Sequence, residues 1–151
     1  MPNWCVGSLK VRGTKENLTK FILEGLHPVG YLGESKGKLS LNEYGDVESD
    51  LTCWIEGTHR GFVESVDAYL SEIEDGETDI VVFDSKFAWG IDAQQLLQVC
   101  NKFKVDMKIH AFERGMEFNQ VIEIVDGNIL KDEELNFDNY KWDCICPELG
   151  G

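Results

Sequence analysis

Val105-Asp106-Met107-Lys108-Ile109-His110-Ala111 alternates apolar and polar side chains, Glu113-Arg114-Gly115 interrupts the pattern, and Phe118–Val125 takes up an apolar run again. A period of two marks a half-buried strand, and a glycine-containing break between two such runs marks a hairpin. Strands joined in this way pair antiparallel. Val105, Met107, Ile109 and Ala111 are therefore expected to face a core, with Asp106, Lys108 and His110 facing away from it. Asp126-Gly127-Asn128 supplies a second turn after the hairpin.

The segments before the hairpin add helices and further strands. Asp92 is placed to cap a helix over about 92–103, whose apolar positions are Leu96, Leu97, Val99, Cys100 and Phe103. Ile80-Val81-Val82-Phe83 is the strongest strand signal in the chain. Near the start, Trp4 to Arg12 alternates, with Cys5, Leu9 and Val11 on one side and Ser8, Lys10 and Arg12 on the other. Thr14 then caps a helix running to about Gly25, with Leu18, Phe21, Ile22 and Leu26 buried. Residues 27–37 read as loop, followed by short runs at Lys38–Tyr44 and Leu51–Glu56. Phe62, Val66, Tyr69, Leu70 and Ile73 recur at helical spacing and predict a helix over about 61–73. This order of elements predicts an α+β, ferredoxin-like sandwich, an antiparallel sheet with helices packed on one face. The expected organisation is a domain over 1–130 with an acidic insertion at about 39–85, and a polar C-terminal tail over 131–151 anchored by Leu135, Phe137, Tyr140 and Trp142.

The chain has 151 residues, 28 acidic against 14 basic, for a formal net charge of −14. Residues 39–85 hold thirteen of the acids and one base, Arg60, so this stretch carries −12. On the predicted helix, Glu64, Asp67, Glu72, Glu74 and Asp75 would share the face opposite the apolar stripe, and Asp46, Glu48 and Asp50 form a second cluster. Such a block speaks to partners and solubility rather than to fold. No apolar run reaches the roughly 18 residues that a membrane-spanning helix needs. The N-terminus lacks signal-peptide character, and the five cysteines are an odd number, so a cytoplasmic location with reduced thiols is expected.

Several stretches resemble a known family. Met1-Pro2-Asn3-Trp4-Cys5 leads into a strand and a short helix, Leu39-Ser40-Leu41-Asn42 forms a short apolar run ending in Asn, and Trp54 precedes Gly57-Thr58. Phe87-Ala88-Trp89 and Glu113-Arg114-Gly115-Met116-Glu117-Phe118 follow in order. Together, over about residues 1–125, these resemble the YubB-like, ferredoxin-like-domain proteins of phages and plasmids. The chain departs from that pattern at His59-Arg60-Gly61-Phe62, where the family has a second tryptophan, and at Gly90-Ile91-Asp92, where it tends to have prolines. The resemblance implies a ferredoxin-like fold and a mobile-element origin, and it brings with it no established enzymatic activity.

Chemistry-bearing motifs are few. Cys144-Ile145-Cys146 with His27, His59 or His110 could be drawn as a zinc site, but a second close ligand pair is missing. Cys53, His59 and Glu56 can be drawn as a nucleophilic set, without a glycine-framed elbow around any Ser or Cys. Glycine-rich phosphate loops are absent. Direct nucleic-acid binding is opposed by the net charge and by the lack of a basic stripe in the sequence. The function expected is non-enzymatic and cofactor-free. An acidic, nucleic-acid-mimicking surface would bind a host protein with a basic nucleic-acid-binding groove, a nuclease or CRISPR effector, and inhibit it. The expected contacts are Glu64, Asp67, Glu72, Glu74 and Asp75, with Asp46, Glu48 and Asp50. The alternatives are a small cysteine-dependent or small-molecule enzyme, and a structural or oligomerisation module whose acidity serves solubility.

Overall fold

The computed structural model describes residues 1–144 and 146–150. Ten strands dominate it: β1 (Trp4–Thr14), β2 (Leu26–Pro28), β3 (Val47–Ser49), β4 (Cys53–Ile55), β5 (Gly61–Val63), β6 (Val66–Ala68), β7 (Thr78–Ala88), β8 (Asp106–Glu113), β9 (Phe118–Val125) and β10 (Asn128–Asn136). Helices are short: α1 (Lys15–Lys20), which continues as a single π turn over Phe21–Gly25, α2 (Ala93–Phe103), α3 (Tyr140–Asp143) and a 3₁₀ turn over Leu70–Glu72. Eight strands form one sheet in the order β10-β9-β8-β1-β7-β5-β4-β2, antiparallel at every junction, and β3 pairs with β6 as a separate ribbon. The expected ferredoxin-like α+β sandwich is therefore corrected. With about 19% of the chain helical, the fold is dominated by its sheet.

β1 is central and shows why the sheet has two unlike faces. Cys5, Leu9 and Val11 are fully buried, whereas Ser8, Lys10 and Arg12 point to the other side and are exposed. Gly7 lies between β7 and β8, where an added Cβ would meet the His110 carbonyl oxygen. On the buried side, Phe21 of the π turn packs edge-on against Phe83 of β7 and Phe103 of α2, at centroid distances of 6.2 and 5.6 Å. Thr14 accepts the Asn17 N–H at the start of α1, and Asp92 accepts the Gln94 N–H at the start of α2. Lys104, in the left-handed conformation, closes α2.

The helix predicted over 61–73 does not form. Its residues make β5, β6 and the 3₁₀ turn. Val66 and Leu70 satisfy both periods, so the discriminating positions are Ala68, buried to 1% exposure, and Tyr69, which is 51% exposed. A helix would have placed them the other way round. The strand also avoids stacking five carboxylates on one helical face, at a few tenths of a kcal/mol for each like-charged pair. Val47, Val66, Ala68 and Leu70 join the common core, so residues 39–85 are woven into the fold rather than inserted beside it. Lys38–Tyr44 forms no strand. β10 runs through the position where the tail was expected to begin, pairing with β9 through a register shift between Ile129 and Lys131.

Candidate functional site

The eight acidic residues singled out from the sequence separate into two groups. Asp46 is buried, and its Oδ1 accepts the Ser71 N–H at 2.8 Å, which ties the loop before β3 to the 3₁₀ turn. Glu64 lies 3.2 Å from the Lys86 ammonium, and Asp75 lies 3.7 Å from that of Lys15. Glu74 and Asp75 occupy a turn closed by the Glu77 N–H donating to the Glu74 carbonyl at 3.0 Å. Asp46 thus holds the fold and Glu64 and Asp75 are already paired, whereas Glu74 contributes only its backbone carbonyl.

The remainder converge on the β3–β6 ribbon. Glu48 and Asp67 sit directly opposite one another in the strand register, both exposed. Like charges at opposed positions destabilise an antiparallel pair. Tyr69, just past the end of β6, has its phenol pKa raised, first by the charge of Asp67, then by burial, then by Glu48, and further by Glu72. The charges of Asp67, Glu48 and Glu72 thus all act on one exposed aromatic. Asp50 follows β3 and is exposed. None of Glu48, Asp50, Asp67, Glu72 or Glu74 has a basic group within 4.0 Å among the described residues.

The open face of the main sheet forms a second surface, which no sequence motif announced. Strand registers place His27, Trp54, Phe62, Lys86, Val6, Phe112 and Asn119 in one row across seven strands. Beside it, Trp4 packs edge-on to Phe62 at 6.1 Å and is flanked by the Arg60 guanidinium at 5.6 Å and the Lys86 ammonium at 5.1 Å. Asn3, Trp89 and the turn at Gly115 meet at this end. The Trp89 N–H donates to the Asn3 carbonyl at 2.7 Å, and the Trp54 ring N–H donates to the Thr58 carbonyl at 3.0 Å. Glu113 accepts the N–H groups of Gly115 and Met116 at 2.6 and 2.8 Å, closing the β8–β9 hairpin. Trp89 adopts φ +68° and is 62% exposed, an uncommon backbone state for a bulky residue. The row was hidden from the sequence because its members lie on seven different strands.

The cysteine-based sets are not assembled. The Cys53 thiol donates to the Leu51 carbonyl, and burial pushes its pKa up to about 11. The His59 N–H donates to the Gln95 side chain, while Glu56 lies 2.6 Å from the Lys102 ammonium and 3.5 Å from His27 Nε2. Cys144 is buried and Cys146 half-buried in the C-terminal segment. No group of three or more metal-ligating side chains forms among the described residues. Of the tail aromatics, Phe137 and Tyr140 pack on each other at 5.6 Å, while Trp142 is 86% exposed. No helix among the described residues is long and apolar enough to cross a membrane. Neither a protein-family model, nor a curated protein, nor a solved structure matches this chain.

Proposed function

We propose that the protein is a non-enzymatic inhibitor that presents the β3–β6 ribbon to a basic nucleic-acid-binding groove of a host nuclease or CRISPR effector. The observation that carries the reading is the direct opposition of Glu48 and Asp67 beside Glu72, with no basic neighbour within 4.0 Å among the described residues. An arrangement that costs stability in the free protein is repaired when a lysine- or arginine-lined surface arrives. Tyr69 adds an exposed aromatic beside the charges, the residue type that most often anchors an interface. The strand ribbon fixes the carboxylates on rigid backbone at cross-strand spacings of roughly 5 Å, close to the scale on which a nucleic-acid strand presents its phosphates. The resemblance to phage and plasmid proteins is consistent with this role, since mobile elements gain from blocking nucleases.

The contact set differs from the one the sequence suggested. Glu48, Asp67, Glu72 and Asp50 carry it, whereas Asp46 and Glu64 serve the fold. The test is capture from a bacterial host lysate at low and at raised salt, with and without competing DNA. A captured nuclease or guide complex, released by salt and by DNA, supports the proposal. The triple reversal Glu48→Lys, Asp67→Lys and Glu72→Lys should then abolish capture. Undiminished capture by that variant overturns it.

A further inference from the structure

Phe112 of β8 and Asn119 of β9 are paired on the open face of the main sheet, yet they are only 7% and 5% exposed. Further along the same face Lys10 and Lys108 stand open to solvent. The cover over the first pair comes from the chain beyond β10. Cys146 and Leu149 adjoin Val6, His110 and Phe112, and a Cβ added to Gly150 would strike the Phe112 and Trp4 carbonyl oxygens. Cys144 is itself buried.

The bonds that organise this segment are internal to it. Asn139 accepts the Trp142 N–H at the start of α3, the Tyr140 hydroxyl donates to the Pro147 carbonyl, and the Leu149 N–H donates to the Cys146 carbonyl at 3.1 Å. Among the described residues no hydrogen bond or ion pair joins residues 137–144 and 146–150 to the sheet. The segment therefore adheres through apolar contact, and its closure strands two polar atoms. His110 Nε2 and Asn119 Oδ1, neighbours on the covered face, are both shielded from solvent without a hydrogen-bond partner. Opening returns them to water, so the closed state carries a cost that the open state lacks.

We infer that the segment after β10 is a flap that lies closed on the sheet while His110 is neutral and opens when the imidazole is protonated. A proton on the shielded ring creates a charge that needs water or a counter-ion. No carboxylate oxygen lies within 4.0 Å of the ring among the described residues. Lys108 of β8 and Lys10 of β1 flank it with like charge, while Ser8 of β1 and Val121 of β9 are neutral neighbours in its own row. Asp84 of β7 and Glu133 of β10 stand two strands away on either side, roughly 10 Å off, and Glu123 of β9 faces Lys108 at 3.9 Å. From the flap, Cys146 is the titratable group that borders this groove, while Asp138, Lys141, Asp143 and Glu148 are exposed, as is Arg114 of the hairpin turn. Burial already lowers the His110 pKa from its ordinary value of 6.5. A group whose closed-state pKa is depressed favours closure above its ordinary pKa, and that preference is lost as pH falls. The flap is thus shut at neutral pH and released in mild acid, uncovering Val6 and Phe112. This device is independent of the acidic ribbon, which belongs to a different sheet.

The test is labelling of Cys144 in the full chain, in a Cys146→Ser background, with a pyridyl disulfide reagent that reacts in mild acid. A peptide of residues 140–150 with the same change gives the intrinsic rate at each pH. Relative to that peptide, labelling should rise by about three- to tenfold between about pH 7.5 and 5.5. Tenfold is the limit for a group of ordinary pKa 6.5 whose proton is excluded from the closed state. His110→Gln should flatten the profile. Leu149→Asp with Gly150→Val unseats the flap, so it should speed labelling at about pH 7.5 and return the His110 ring pKa, read by NMR, towards 6.5. Amide spectra verify the fold of each variant, and the ring pKa comparison decides alone if His110→Gln does not fold. A rise below about twofold, an equal rise in folded His110→Gln, or an unseated variant with Cys144 still protected and the His110 pKa unmoved would each overturn the proposal.

Discussion

At the scale of single residues, the fold depends on a few buried polar side chains that the sequence gives no reason to notice. Gln120 of β9 accepts the Ile91 N–H at 2.7 Å and donates to the Ile91 carbonyl at 3.0 Å, clamping the connection between β7 and α2 to the sheet. Truncating it leaves both backbone groups without partners in a buried setting. Gln120→Ala should cost about 2–4 kcal/mol, read as a lowered midpoint in urea unfolding with unchanged slope. A loss below half of one kcal/mol would show that the clamp is dispensable. The thiols permit a second residue-level prediction. Burial pushes Cys5 and Cys100 up to about 12 and Cys53 up to about 11, so near neutral pH these three are protonated and shielded. Cys144 is also buried, whereas Cys146 is half-exposed. A disulfide reagent at pH 8 should therefore label one thiol quickly in the native protein and all five only after denaturation. Rapid labelling of three or more would contradict the burial of the core cysteines.

At the scale of elements, legibility followed how many constraints a segment carried at once. β1, β7, α2 and the β8–β9 hairpin could be read because period, cap and turn residues agreed, as with Asp92 before α2 and Gly115 between β8 and β9. The segment 61–73 was misread because Phe62, Val66, Tyr69, Leu70 and Ile73 fit a helix, whereas Tyr69 is in fact exposed and Ala68, a weak signal in isolation, is buried. β10 was read as tail because an exposed edge strand has no apolar face. Its Lys131-Asp132-Glu133-Glu134 run is the kind of charged edge that prevents further pairing. Of the candidate contact residues, the acidic character was legible and the grouping was not. Only the ribbon register brings Glu48 to Asp67. That register leads to a prediction about β3 and β6. Asp67→Lys should place a cation opposite Glu48, replace repulsion with attraction and raise stability by about 0.5–1 kcal/mol. For a chain of this length the melting temperature should rise by roughly 1–4 °C. The same substitution should weaken partner capture. A variant that is more stable and still fully active would separate the ribbon from function.

At the scale of the whole molecule, charge is segregated by surface. The acidic excess lies in the middle third of the sequence, while the open sheet face carries Lys10, Lys86, Lys108 and Arg12, the last three facing Glu64 at 3.2 Å, Glu123 at 3.9 Å and Asp106 at 2.8 Å. A net charge of −14 on a small fold makes the compact state repel itself, and added salt screens that repulsion. The same ions screen the attraction between the ribbon and a basic groove. The two effects have opposite signs, so one titration separates them. Raising sodium chloride from about 20 to 300 mM shortens the Debye length from roughly 20 Å to 6 Å, and the melting temperature should rise by a few degrees. Over the same range partner binding should weaken, mainly through slower association. Melting measured alongside association kinetics, in one buffer series, checks both. If binding instead held constant while stability rose, the contact would be apolar, centred on Tyr69 or the sheet aromatics, and the carboxylates would be acting on the free protein alone.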